Sequence, residues 1–307
     1  MHILVLIREK RYTIVVELSL SKYTSMPELP EVETVVLQLG QKIVGKKIVK
    51  VWSDWKRKIL PSYVVFGKKI QGAAVIGVRR FGKHIVIDLN NGYSIVAHLK
   101  MTGHFLVKDK DNRDAKAFLD PINGYIHHMM TFSDGTTLEF SDMRKFGWLR
   151  LVKTEEVEVL SSIVTLGVDA LSPLLTEKRL QMLLGGKKKR SIGAMLLEQH
   201  IVAGIGNIYR SEALFLAGIV PTRLIETLTE SEWKKIVPAI KKVLRQAIRT
   251  GGTSDGDFRD TDGLAGRFQD ALFVYARTGK PCKRCGTMIL RKKIGQRSIF
   301  YCSHCQS

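Results

Sequence analysis

Short apolar runs separated by turn residues fill the chain between Lys69 and Val152. Ala73–Val78, His84–Leu89, Ser94–Leu99, Ile126–Phe132, Thr137–Phe140 and Trp148–Val152 have the length and composition of strands. Asn90-Asn91-Gly92 and Ser133-Asp134-Gly135 mark hairpin turns between them. Ahead of these strands, Val32, Val35, Val36, Leu39 and Ile43 recur at helical spacing, predicting a helix over Glu31–Val44. The first half therefore predicts a helix packed on a two-layer β-sandwich. Near residues 155–175 the texture changes, and Glu177–Leu184, Ile192–Gln199, Asn207–Ala217 and Glu230–Arg249 are expected to be helical. A Gly/Asp/Thr-rich stretch, Gly251–Gly266, interrupts the helices; loops of that length are commonly lids or disordered. The chain ends in a cysteine-bearing hairpin, and no internal repeat is visible. The class is α+β, with expected divisions at 1–26 (an extension), 27–155 (sandwich), 156–271 (helical, with a lid at 251–266) and 272–307 (finger).

Charge narrows the partners. Of 307 residues, 49 are Lys or Arg and 29 Asp or Glu, a formal net charge of +20. Such an excess suits a polyanion, whose phosphates release counterions on binding, although solubility alone also favours net charge. The distribution sharpens the point: Arg277, Lys280, Lys283, Arg284, Arg291, Lys292, Lys293 and Arg297 crowd the C-terminal stretch, which holds no acid. No apolar run approaches the roughly 18 residues of a membrane span, so no membrane partner is expected. The apolar runs Ile3–Ile7 and Ile14–Val16 are broken by Arg8-Glu9-Lys10-Arg11 and Glu17, unlike a signal-peptide core, and a cytoplasmic location follows as the expectation.

The 4 cysteines form two Cys-x2-Cys pairs, Cys282/Cys285 and Cys302/Cys305. Two such knuckles present four thiolates to one ion, the arrangement of a structural Zn2+ site; four thiolates leave no open position for catalysis. The alternative is four free or disulfide-bonded cysteines, of which the disulfides do not suit a reducing compartment. Thr287–Lys293 and Ser298–Tyr301 are expected to pair as strands, with Arg297 near the tip, and His304 is expected to be a bystander.

Met26-Pro27-Glu28-Leu29-Pro30-Glu31-Val32-Glu33-Thr34 opens the first helix. Pro and Glu are ordinary in a first helical turn, for φ and macrodipole reasons, so this run alone points to structure rather than chemistry. Taken with Arg80-Phe81-Gly82-Lys83, His98-Leu99-Lys100-Met101-Thr102-Gly103, Asp142-Met143-Arg144-Lys145-Phe146-Gly147, Gly204-Ile205-Gly206-Asn207-Ile208-Tyr209, Ser211-Glu212-Ala213-Leu214 and the four-cysteine finger, it closely resembles the formamidopyrimidine-DNA glycosylases, bacterial enzymes that remove oxidised purines. The resemblance runs from Met26 to the C-terminus. Leu29 favours this branch over the endonuclease VIII branch, which typically begins Pro-Glu-Gly-Pro.

The resemblance implies a bifunctional glycosylase and AP lyase of base excision repair, acting as a monomer on damaged double-stranded DNA. Removal of Met26 would leave Pro27 at the N-terminus. An α-amine titrates near 8 and a lysine near 10.4, so roughly a tenth of such amines are neutral at pH 7. The resemblance assigns catalysis to Pro27 as nucleophile, Glu28 as acid and Lys83 as the contact to the phosphate beside the lesion; Glu31 is expected to orient the helix start. Since C1′ of a stacked nucleotide is out of reach, the base must be flipped out. Met101, Arg144 and Phe146 would fill the gap, and Asn207 with Arg297 would hold a phosphate, aided by backbone N–H groups of the glycine turn. On pattern alone, Met101 and Phe146 are as easily core residues. The chain departs from the family at Met143 (usually Pro), Lys145 (commonly Arg), Ser254-Asp255-Gly256 (usually Thr-Leu-Arg) and Gly193 (usually Lys). The last two leave lesion preference open, with oxidised pyrimidines as the alternative substrate class. A third possibility is DNA binding without catalysis, should residues 1–26 stay attached and block Pro27; they are expected to be absent from the mature protein.

Overall fold

A computed structural model describes residues 2–9, 12–19, 26–254 and 256–307, the first two stretches as backbone alone. Those two are strands, β1 (His2–Glu9) and β2 (Tyr12–Ser19), paired antiparallel. The rest of the expected 1–26 extension, apart from Met26, lies outside the described residues.

Helix α1 (Leu29–Ile43) begins two residues before the predicted start at Glu31. Pro30 is tolerated in the first turn, where its missing N–H would have had no partner. Its apolar stripe (Val32, Val35, Val36, Leu39 and Ile43) is buried against the sandwich, as the spacing predicts. One sheet of four strands has the order β3 (Ile48–Ser53), β9 (Ile126–Phe132), β10 (Thr137–Ser141), β8 (His104–Lys108). The other has five: β4 (Ile59–Leu60), β11 (Trp148–Lys153), β7 (Tyr93–His98), β6 (His84–Leu89), β5 (Val75–Phe81). Only β4 and β11 run parallel in this sheet; its other pairs are antiparallel. Strand β5 runs to Phe81, beyond the predicted Val78, and so places Lys83 in the tight turn to β6. Helix α2 (Tyr63–Ile70), capped by Ser62, is absent from the sequence expectation; its short length hides the period.

A second core gathers α4 (Glu177–Leu184), α6 (Asn207–Ala217), α7 (Glu230–Arg249) and the finger. The short α3 (Ser161–Val164) leads into it, and β12 (Val168–Asp169) pairs with β13 (Val202–Ala203). The predicted helix Ile192–Gln199 is corrected: only α5 (Ile192–Met195) is helical. Gln199 is the physical reason, because its side chain bonds loop backbone on both sides, donating to Leu197 O (3.0 Å) and Ile205 O (2.7 Å) and accepting from Gly204 N (3.0 Å). In the finger, β14 (Leu290–Ile294) pairs with β15 (Arg297–Tyr301). Phe300, Cys282 and Cys302 are buried within the helical core, so the finger shares it.

Leu29 belongs to this second core, while the rest of the α1 stripe belongs to the sandwich. The start of α1 therefore sits at the junction of the two. Arg80 spans the same junction: its guanidinium pairs with Glu33 of α1 and Asp169 of β12, and donates to Gly82 O at 2.9 Å beside Lys83. Among the described residues, no helix is long and apolar enough to cross a membrane.

Candidate active site and metal centre

The junction holds a cavity of about 210 Å³ lined by Met26, Glu28, Lys83, Gln199, Gly206, Asn207, Tyr275 and Arg297 among others. Four of the residues singled out from sequence (Glu28, Lys83, Asn207 and Arg297) are thus brought together from α1, the β5–β6 turn, α6 and the finger. Pro27, itself buried, lies between the lining residues Met26 and Glu28.

Glu28 caps a helix other than its own. Its carboxylate accepts from the N–H groups of Gly206 (2.6 Å), Ile208 (2.8 Å) and Tyr209 (3.4 Å), the unpaired donors at the start of α6. Such proximity requires glycine at 206, where any Cβ would fall 2.3 Å from Glu28 Cδ. Gly204, at φ +100°, likewise leaves room for Leu29. The expectation that these glycines turn their N–H groups to a phosphate is not met: Gly204 N–H is taken by Gln199 and Gly206 N–H by Glu28. Burial raises the Glu28 pKa above the usual carboxyl value, opposed by Lys83 and by the three N–H groups.

Glu31 holds the scaffold of the site. It accepts from Glu28 N–H (2.8 Å), Thr253 N–H (2.7 Å) and the Tyr209 hydroxyl, joining α1 to α6 and to the start of the loop that follows α7. Burial, reinforced by the nearby Glu28 charge, raises its pKa to about 7. Lys83 is buried too, and burial holds its ammonium below the usual lysine range; Glu28 and Glu31 oppose that shift and Arg297 adds to it. Two further charged residues, Glu212 and Arg210, carry no sequence signal of a site. Glu212 is fully buried and accepts from Phe273, Val274 and Tyr275 N–H (2.8–2.9 Å), which sets Tyr275 at the cavity. Arg210, also buried, binds the Asn207 side chain.

Met101, Arg144 and Phe146 do not line the cavity; they stand on two neighbouring loops. Asp142, 1% exposed, ties the loops together: it accepts from the Thr102 hydroxyl, from Arg144 N–H (3.3 Å) and from Gly147 N–H (2.7 Å). Thr102 Oγ1 in turn accepts from Arg144 N–H at 3.1 Å. Phe146 is 45% exposed with the Arg144 guanidinium over its ring at 4.8 Å, so it is not a core residue. Lys145, in the left-handed region (φ 56°), lays its ammonium over Trp55 at 4.6 Å. The described residues of the 251–266 stretch form no helix or strand, yet many of them are anchored to the sandwich side. Arg259 pairs with Asp120 (2.9 Å), Gln38 bonds Asp260 and Thr261 (3.0 Å each), and Asn123 donates to Gly263 O (3.1 Å).

The four cysteine Sγ atoms lie within 4.8 Å of one another, with Cys285–Cys302 at 3.5 Å and Cys282–Cys305 at 3.9 Å. Zn–S bonds of about 2.3 Å in a tetrahedron place sulfurs ~3.8 Å apart, so the set fits a structural zinc ion, and that ion is the cofactor of the finger. His304 is not part of the cluster.

Comparison with known proteins agrees along the chain. Residues 26–149 match the formamidopyrimidine-DNA glycosylase N-terminal domain, 166–258 its H2TH domain, and 279–307 the zinc finger found in FPG and IleRS. The formamidopyrimidine-DNA glycosylase of Pelotomaculum thermopropionicum is 41% identical over 282 residues, which is 92% of this chain and 99% of that protein. The Lactococcus lactis Fpg complexed with abasic-site DNA superposes with a TM-score of 0.80 at 33% identity, covering 91% of this chain and 99% of that one. A complex of MutM with DNA containing carbocyclic 8-oxo-G gives a TM-score of 0.79, also at 33% identity, over 92% and 100% of the two chains.

Proposed function

The chain belongs to the formamidopyrimidine-DNA glycosylase family, and from that premise we propose that it excises oxidised purines from duplex DNA through Pro27 and then cuts the strand. The observation that carries this reading is the placement of Met26: the group attached to the Pro27 nitrogen lines the cavity that also holds Glu28, Lys83, Asn207 and Arg297. Loss of Met26 would leave a secondary amine at the cavity wall. That the family match itself starts at residue 26 supports a mature chain beginning at Pro27.

In this reading the neutral Pro27 nitrogen bonds to C1′ of the flipped nucleotide, and the base leaves with the electron pair of the glycosidic bond and takes up the proton that the amine gives off. Glu28, its pKa raised by burial, gives its proton to the ring oxygen as the C1′–O4′ bond opens. The resulting iminium draws electrons from C2′; loss of a C2′ proton expels the 3′ phosphate, and a second elimination expels the 5′ phosphate. Lys83 holds the phosphate beside the lesion, Asn207 and Arg297 its neighbour. Met101, Arg144 and Phe146 fill the emptied stack, a task suited to loop side chains that are exposed (Arg144, Phe146) or half-buried (Met101). The segments 27–155, 156–271 and 272–307 act as the sandwich, helical and finger units of one catalyst.

Borohydride tests this directly, because reducing the iminium leaves a permanent protein–DNA crosslink. Protein beginning at Pro27 is expected to crosslink to a duplex carrying 8-oxoguanine, and protein beginning at Met1 is not. Absence of a crosslink with the Pro27 form overturns the proposal and leaves a binding protein. A crosslink found only with oxidised-pyrimidine duplexes instead moves the substrate class.

A further inference from the structure

We propose that Arg210 is a positioning residue for the phosphate grip: its buried guanidinium orients the Asn207 amide and fixes the finger strand carrying Arg297 against α6. The inference rests on the reading of Asn207 and Arg297 given above.

Arg210 lies one helical turn after Asn207 and is fully buried. Its Nη2 donates to Asn207 Oδ1 and to Ser298 O (3.1 Å), and its Nη1 donates to Gly193 O (3.0 Å). A guanidinium has donors only. Whichever atom of the Asn207 amide faces it must therefore be the oxygen, and the NH2 group is turned away from Arg210, leaving its donors for the cavity that Asn207 lines. The bond to Ser298 O acts on the residue next to Arg297 in β15. One side chain thus sets the two groups proposed to share a phosphate, although they lie on different elements.

The burial itself is informative. Among the described residues, Arg210 forms no direct ion pair; Glu28 is the carboxylate whose charge acts on it, and its Nε has no hydrogen-bond partner. A cation left in this state is poor scaffolding, since apolar residues of similar volume commonly hold a core as well or better. An arriving phosphate adds negative charge that no direct ion pair supplies. The acceptor itself is fixed by close packing: a Cβ at Gly193 would lie 2.5 Å from Pro221 O, so glycine lets the carbonyl that Arg210 binds sit against Pro221.

The test is a double-mutant cycle in protein beginning at Pro27, using Asn207→Ala, Arg210→Met and the pair. Affinity for a duplex with a tetrahydrofuran abasic analogue is measured across salt concentrations. Each single change is expected to weaken binding roughly tenfold, as for one lost hydrogen bond to a charged group. The pair should weaken it hardly more than either alone, and the salt slope should fall by about one. At saturating protein, single-turnover excision should fall by a much smaller factor than affinity does, a split that general loosening of the fold would not give. Arg210→Lys, which keeps the charge without the fork, should retain the salt slope but lose part of the affinity, and it serves if the methionine variant does not fold. Additive losses in the pair, or lowered thermal stability with unchanged affinity, overturn the proposal. A parent protein that fails to crosslink under borohydride sinks the glycosylase reading instead, which the cycle leaves separable.

Discussion

Replacing Gly206 by alanine isolates the role of Glu28 without touching it. The new Cβ would stand 2.3 Å from Glu28 Cδ, 2.4 Å from Oε1 and 2.7 Å from Cγ. Carbon atoms in contact sit about 3.5–4.0 Å apart, so the carboxyl group must retreat by roughly 1 Å. Retreat breaks the bonds from Gly206 and Ile208 N–H, at 2.6 and 2.8 Å. Each is worth about 1.5–3 kcal/mol to an ionised acceptor, less to a protonated one, and water entering the cavity replaces part of that. A net loss of about 1–3 kcal/mol and a melting temperature lower by about 5 °C are expected. The effect on chemistry is larger, because an acid misplaced by 1 Å costs on the order of 100-fold in rate. Single-turnover excision from a lesion-bearing duplex, run beside fluorescence anisotropy on an uncleavable abasic analogue, separates the two effects. Binding should hold within about threefold, since Asn207 and Arg297 do not depend on the Glu28 carboxylate. Gly67→Ala in α2, where a Cβ meets nothing within 4 Å, is the control and should leave excision unchanged. A Gly206→Ala protein that excises at the parental rate and melts at the parental temperature would refute the argument that α6 holds the acid in place.

Two other changes probe the rest of the site. Asp142→Ala removes the acceptor that joins the Thr102 and Arg144 loops, and excision from a paired duplex is expected to fall at least tenfold; a lesion opposite a mismatched base, already less costly to flip, should lose less, and equal losses would count against a role in base extrusion. Glu31, raised to about 7, binds its proton more tightly folded than unfolded, so its contribution to stability is full below about pH 4.5 and is lost as pH rises through 7. Denaturant titrations of Glu31→Gln across that window should show a flatter profile than the parent, and parallel profiles would mean that Glu31 is not held as the structure places it.

Much of this site was legible in the sequence because its signals are local. The Pro-Glu run, the Cys-x2-Cys pairs and the α1 stripe each carry their meaning within a few residues, and the structure places Glu28, Lys83, Asn207 and Arg297 around one cavity. The errors arose where partners are distant. Gly204 and Gly206 looked like a phosphate nest, because nothing in the string Gly-x-Gly-Asn reveals that a carboxylate from 178 residues away has taken the Gly206 N–H. Gln199 looked helical by periodicity, yet its amide is committed to loop backbone that exists only once β12 and β13 pair.

Arg210 is the hardest case. Its spacing from Asn207 is visible, and i to i+3 neighbours on a helix are known to meet. What decides its role, however, is Ser298 in the finger, 88 residues later, together with the backbone carbonyl of Gly193. An arginine on a largely apolar helix reads as a surface residue until the fold shows that every face of that helix turn is covered. The feature that could have flagged it is the company it keeps: Ile208, Tyr209, Ala213, Leu214 and Phe215 make most of α6 apolar, and the polar set Asn207, Arg210 and Ser211 at helical spacing is short enough for one neighbouring element to cover.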